Sequence, residues 1–284
     1  MYARDRLACS RARRAGHSPA DPCHEASSRK VAPGEAILLY VLTFVAALIG
    51  GFTFGLVGIG LPLVLVPALS ILFGDVRTAV VVASIPSLFS AIYIAWRGGF
   101  AREDLQVFWP VFPLSIVGVF IGNEVLVSIN PASLMLFIGG MLLLFVGLTL
   151  LPIRVGLTPT AGRRLAPIVG LAVGMVQGAV GISGPLLAIF YHGFQLPKRR
   201  FVGMMVINFV VMGVMQVLAQ AGSKLYTVDI LVLSIGLVLP TIIGIQIGTH
   251  VQNLVQQRTF NYVLLAVLFL TGLSLIIQTV GAIP

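Results

Sequence analysis

Residues 55–62 read GLVGIGLP and residues 178–185 read GAVGISGP. Each octapeptide interrupts a long apolar run, and each ends on proline. At a constant offset of 123 residues, five of the eight positions are identical: Gly55/Gly178, Val57/Val180, Gly58/Gly181, Ile59/Ile182 and Pro62/Pro185. The same offset pairs Gly51 with Gly174, Leu63 with Leu186 and Arg77 with Arg200. An offset of 126 pairs Gly118 with Gly244 and Gly122 with Gly248. Shared apolar composition produces scattered coincidences, but not a common register of glycine and proline. The chain therefore reads as an internal duplication, with a first repeat at 37–151 and a second at 166–280.

The runs around the two breaks lie at 37–73, 78–96, 107–127, 131–151, 166–197, 201–221, 229–249 and 260–280. Several approach the twenty or so residues that cross a bilayer as a helix. Of the 284 residues 58% are hydrophobic and only 10% charged, against about a quarter charged in soluble domains. Residues 1–36 hold 11 of the 27 charges, which leaves 16 for the remaining 248 residues. That is too few to coat a globule. The fold class is all-α polytopic membrane protein, and soluble enzymes are excluded.

The net charge of +9 does not point to nucleic acid. The basic residues fall in the tail and in short loops between apolar runs, where membrane proteins place them. Cys9 and Cys23 lie in the tail near His17 and His24, at a spacing that matches no zinc pattern, so no metal site is expected. Residues 1–36 read as a basic, disordered tail. The body has no cysteine, no paired carboxylates within a run and no Gly-Lys-Ser/Thr nucleotide loop. Neither a catalytic residue nor a cofactor is expected.

Two topologies remain open. If each broken run is one crossing, each half has four and the chain has eight. If each is a tight hairpin (37–56 with 59–73, and 166–181 with 184–197), each half has five, and an odd number inverts the second half. With the tail left aside, the eight-segment arrangement puts 6 basic residues on one side and 5 on the other. The ten-segment arrangement groups Arg97, Arg102, Arg154, Arg163, Arg164, Lys198, Arg199, Arg200 and Arg258 against Arg77 and Lys224, a split of 9 to 2. The positive-inside rule favours the second. It also places both termini, with the basic tail, outside.

Glycine permits the backbone angles needed where a helix turns sharply, and proline suits the first turn of the next helix. Each break therefore aims free N–H groups and a positive dipole end at whatever lies in front of it, which suits an anion. Gly58, Ile59, Gly60 and Leu61 form the first candidate half-site, and Gly181, Ile182, Ser183 and Gly184 the second. For Gly51, Gly55, Gly174 and Gly178 close helix packing is the expected role.

Polar residues within the runs are the next candidates, because they are expensive in lipid and face a partner or a cavity. Gln177 and Asn208 are amides flanking the second break, and both are taken as ligand donors. Gln216, Gln246, Tyr191 and the stripe Ser84, Ser87 and Ser90 read first as interhelical hydrogen-bonding groups. His192 titrates near neutrality and is weighed as a proton carrier against a plain surface histidine. Arg77 and Arg200 occupy equivalent repeat positions, and guanidinium suits oxyanions. Both join the candidate set, with interfacial anchoring as the rival role. Glu124, at the end of a run, is expected to reach the interface.

The stretches GGFTFGLVGIGLPLVLVPAL (50–69) and GMVQGAVGISGPLLAIFY (174–191), with the duplicated halves, resemble the sulfite exporter TauE/SafE family of membrane permeases. The resemblance covers about 37–280. It implies a multi-pass transporter of the bacterial-type inner (plasma) membrane that exports a small sulfur-containing anion, sulfite or an organosulfonate such as sulfoacetate. The implied partners are that anion and the lipid bilayer; a homodimer is one assembly open to it. The first copy carries Leu61 where members often have another glycine, which makes the GISGP copy the stronger candidate for ligand contact. An importer or ion-coupled permease of another small solute is the alternative.

Overall fold

The computed structural model describes residues 33–57, 61–98, 109–150, 159–194 and 197–251, together with 265–266, 269–270, 272–273, 276–277 and 279. The tail up to residue 32, with its cysteines and histidines, lies outside the described residues, as do Gly58, Ile59 and Gly60. By its internal contacts the chain divides at Val41. Of the first unit only the opening of one helix is described; the fold proper belongs to Leu42–Pro284.

Ten helices are described: α1 (Pro33–Val57), α2 (Leu61–Phe73), α3 (Val76–Gly98), α4 (Val111–Ser128), α5 (Pro131–Leu150), α6 (Pro159–Val180), α7 (Gly184–His192), α8 (Lys198–Gly222), α9 (Val228–Gly236) and α10 (Val238–Val251). The described residues between 265 and 279 are also helical. Among the described residues, five stretches are long and apolar enough to cross a bilayer: Ile37–Leu56, Val76–Arg97, Val111–Ser128, Arg200–Gly222 and Val228–Val251. The last joins α9 and α10, which are parted at Leu237 because Pro240 has no N–H to offer the Gly236 carbonyl.

Both breaks divide their runs as the glycines and prolines suggest. At the second, the Gly181 N–H bonds the Gln177 carbonyl at 2.8 Å, and Gly181 takes φ +73°, a backbone state that glycine enters freely. Pro185 then occupies the first turn of α7. At the first break α2 returns along α1: a Cβ at Gly50 would lie 3.5 Å from the Leu61 carbonyl and 3.7 Å from Leu65 Cβ. With 13 and 9 residues, α2 and α7 rise only about 20 and 14 Å, short of the ~30 Å hydrocarbon core. Neither spans that core alone.

Glycines set two close helix crossings. Gly118 and Gly122 of α4 lie against the backbone of α6 at Leu171 and Met175, while Gly170, Gly174 and Gly178 of α6 lie against Val111, Ser115 and Val119 of α4. The second crossing joins Gly51 and Gly55 of α1 to Thr241 and Ile245 of α10, with Gly244 and Gly248 against Leu48 and Phe52. At each of these positions a methyl group would overlap backbone atoms. The packing role expected of Gly51, Gly55, Gly174 and Gly178 is what the structure shows.

The outward faces are apolar. Along α9 and α10 the exposed residues Val228, Val232, Ile235, Leu239, Ile243 and Ile247 form a continuous ribbon at helical spacing. An unbroken apolar ribbon of this length is a surface for lipid, not for water.

Candidate substrate site

A cavity lies where the second break meets α3 and α8. Gln177 of α6 and the turn residues Gly181, Ile182 and Gly184 form one wall, and Phe209, Gly213 and Gln216 of α8 form the next. Ser84, Ser87, Leu88 and Ala91 come from α3, and Phe54, Leu61, Pro62 and Leu63 bring in the first broken run. The lining positions on α3 and α8 recur every three or four residues, so each helix gives one face. The free volume is about 30 Å³, room for about two waters. None of the described lining residues is charged.

A directed hydrogen-bond relay runs along one wall. The Ser183 hydroxyl donates to Oε1 of Gln177 in a short bond. Nε2 of Gln177 donates to Oε1 of Gln216 at 2.7 Å. Nε2 of Gln216 has no partner, although the residue is only 2% exposed. A buried amide donor without an acceptor carries a desolvation penalty of about 1–3 kcal/mol. Here it belongs to a cavity-lining side chain. Gly181 leaves it uncovered: a Cβ at that position would stand 3.7 Å from Gln216 Nε2. On the facing helix the Ser87 hydroxyl donates to the Ala83 carbonyl of its own helix, and the single proton of Ser84 is shared between the Val81 carbonyl and the Tyr226 hydroxyl, each 2.7 Å away. A hydroxyl that rotates off its helix carbonyl can donate to a guest instead.

The sequence-derived candidates separate into three groups. Leu61, Gln177, Gly181, Ile182 and Gly184 line the cavity. Ser183 is buried beside it and reaches it through Gln177; no side-chain bond of Ser183 caps α7. Asn208 is buried away from the lining, with Nδ2 donating to the Tyr191 hydroxyl at 2.6 Å and to the Met204 carbonyl at 3.0 Å. Arg77 points to the end of α4, where Nε donates to the Leu126 carbonyl at 3.0 Å and Nη2 to the Val127 carbonyl at 2.8 Å. Arg200 and His192 are exposed near opposite ends of the α7–α8 connection, and neither lines the cavity. Glu124 is exposed, as its place in the sequence suggests.

Gln216, Ser84 and Ser87 are lining residues that the sequence reads first as interhelical links. Their signal is present, since each is polar inside an apolar run. What spacing along one chain cannot show is that Gln177 and Gln216, 39 residues apart, meet face to face. Among the described residues no group of three or more His, Cys, Asp or Glu side chains is placed to hold a metal ion.

The family model described as sulfite exporter TauE/SafE matches residues 43–275, which takes in both breaks and every wall of the cavity. The chain belongs to the TauE/SafE family. No curated protein and no solved structure matches it. As a TauE/SafE member with several membrane-spanning helices it is a multi-pass protein of the inner (plasma) membrane, and a transporter rather than an enzyme.

Proposed function

We propose that this TauE/SafE protein exports a small sulfur-containing anion, sulfite or a small organosulfonate, by alternating access around the cavity at the second break. The observation that carries the reading is the Gln216 Nε2 donor, buried and without an acceptor in the cavity wall. A sulfonate or sulfite oxygen supplies the missing acceptor, with the serines of α3 opposite. Because no described lining side chain is charged, binding rests on neutral donors. That is consistent with a solute that must be released as well as captured.

The two halves are proposed to be inverted repeats. Support comes from the crossings: the helix before each break (α1 or α6) packs by its glycines onto α10 or α4 of the other half, at positions that the sequence offsets make equivalent. An interlocked pair of this kind allows one half to rock against the other about the cavity. The free volume of about 30 Å³ then belongs to an occluded form that widens for a larger sulfonate.

The test is thermal stabilisation of the detergent-purified protein by sulfite, sulfate, thiosulfate, sulfoacetate and taurine, with chloride and acetate as controls. A ligand of the folded state raises its apparent stability. Selective stabilisation by sulfite or a sulfonate, lost in Gln216→Leu, is the expected result. A flat response across the panel, or one unchanged in Gln216→Leu, overturns the assignment.

A further inference from the structure

The polar line along α8 continues past the cavity. Phe209, Gly213 and Gln216 face the cavity, and the next position on that stripe is Gln220. Gln220 is fully buried, and its Nε2, like that of Gln216, has no partner. Its Oε1 accepts from the Tyr226 hydroxyl at 2.9 Å. The same hydroxyl stands 2.7 Å from Ser84 Oγ, and Ser84 lines the cavity. A Cβ at Gly213 would lie 3.2 Å from Leu88 Cδ1. From that contact, α8 advances toward Gln220 as α3 steps back from Leu88 to Ser84. Tyr226 thus spans the α3–α8 gap at one end of the cavity.

The backbone holds Tyr226 there by local chemistry. At the end of α8 the Leu225 N–H bonds the Gln220 carbonyl at 3.1 Å, and the Lys224 N–H bonds the Ala221 carbonyl at 3.0 Å. This paired closure puts Lys224 in the left-handed region at φ +55°, and the chain reverses there. A second tie comes from α4, where Asn123 Nδ2 donates to Ser223 Oγ at 2.7 Å. Tyr226 lies outside the apolar spans. Burial pushes its hydroxyl up to about 12, so it keeps its proton throughout the physiological range.

We propose that Tyr226 is a latch that closes the cavity toward the α8–α9 linker, and that Gln220 is the amide a departing solute meets when the Tyr226–Ser84 bond opens. The proposal rests on reading the cavity as the solute site. It accounts for two buried amide donors without partners, one turn apart on α8, the second on the side chain that Tyr226 also holds. Opening the bond joins them into a single path. Gln216 is the inner station and Gln220 the outer one.

The test reads access without any solute. In the full chain carrying Cys9→Ser and Cys23→Ser, reconstituted in vesicles, Ser87→Cys places a single thiol in the cavity wall. Lys224→Cys, in a separate protein, reports the face on which the linker lies. A membrane-impermeant methanethiosulfonate is applied from either face. Loss of one hydrogen bond shifts an opening equilibrium about fivefold. Tyr226→Phe, which removes the Gln220 bond as well, should therefore speed labelling of the Ser87→Cys thiol at least about fivefold from the linker face and leave the other face unchanged. Ser84→Ala removes the same bond from its other end and should do the same. Unchanged labelling in both variants, or an equal rise from both faces, overturns the latch. A flat anion panel alongside a one-sided rise keeps the latch and removes the solute assignment, so the two failures are distinct.

Discussion

Gln177 donates to Gln216 across the α6–α8 interface at 2.7 Å, and that one bond gives the wall relay its direction. With Oε1 of Gln216 occupied, its Nε2 is the end that faces the cavity. Had the amides the opposite sense, the cavity would be offered an acceptor, which repels an anion. In this arrangement the Ser183 hydroxyl donates to Oε1 of Gln177, which leaves Gln177 Nε2 to donate to Gln216. If the anion sits at Gln216 as proposed, a hydroxyl that the sequence assigns to the ligand acts two bonds away from it.

Gln216→Glu tests this directly. The new side chain has nearly the same shape and still accepts from Gln177, but its second oxygen replaces the free donor. A hydrogen bond to a charged group contributes about 1.5–3 kcal/mol, so anion affinity at pH 8 should fall at least about tenfold. Titrated thermal stabilisation measures it. Retained affinity would place the anion elsewhere.

Ser183→Ala should behave differently. It leaves Oε1 of Gln177 buried without a donor, at about 1–3 kcal/mol of stability. Anion affinity should fall less than in Gln216→Glu, because Ser183 is not part of the described cavity lining and the Gln177–Gln216 bond persists. Denaturation in detergent gives the first quantity and ligand titration the second. The reverse ranking of the two affinities would show that the Ser183 hydroxyl contacts the anion itself.

Arg77 illustrates what spacing leaves open about a side chain. Its repeat-equivalence with Arg200 suggests an oxyanion clamp. In the fold Asp75 sets the start of α3, with its carboxylate accepting from the Arg77 and Thr78 N–H groups at 3.2 and 3.1 Å. That orientation sends the guanidinium to the last carbonyls of α4, about 50 residues on. Those carbonyls have no intrahelical donor, and a cation there also meets the negative end of the helix dipole. Arg77→Ala should lower stability by about 1–2 kcal/mol with sulfonate affinity unchanged. Lost affinity in a variant that remains folded would restore Arg77 to the site.

The sequence is legible where the physics is local. Glycine and proline act on their own backbone, so both breaks and the short α2 and α7 are encoded within a few residues of themselves. Apolar runs report the membrane directly, since lipid is a solvent the whole helix must satisfy. Side-chain meetings are not local. Gln216 and the serines of α3 show themselves as polar residues in apolar runs, but the cavity between them exists only after α3, α6 and α8 are assembled. Tyr226 sits in a five-residue connection, Ser223–Thr227, where no periodicity marks which residue turns inward.

The glycine crossings carry the remaining prediction. Gly174 lies against the Ser115 backbone, and its equivalent Gly51 against that of Thr241. A methyl group at either forces two helix backbones apart, and overpacking of this kind typically costs about 1–3 kcal/mol. Gly174→Ala and Gly51→Ala should each lower the unfolding midpoint. Gly140→Ala and Gly147→Ala meet nothing within 4 Å and should be neutral or stabilising by up to about 1 kcal/mol, since alanine favours the helix. If the two crossings are one joint used twice, Gly174→Ala and Gly51→Ala should also slow anion flux in vesicles to a similar degree, with equilibrium affinity little changed. Loss of flux in only one of the pair would make the crossings unequal in function, and would set aside a symmetric rocking of the two halves.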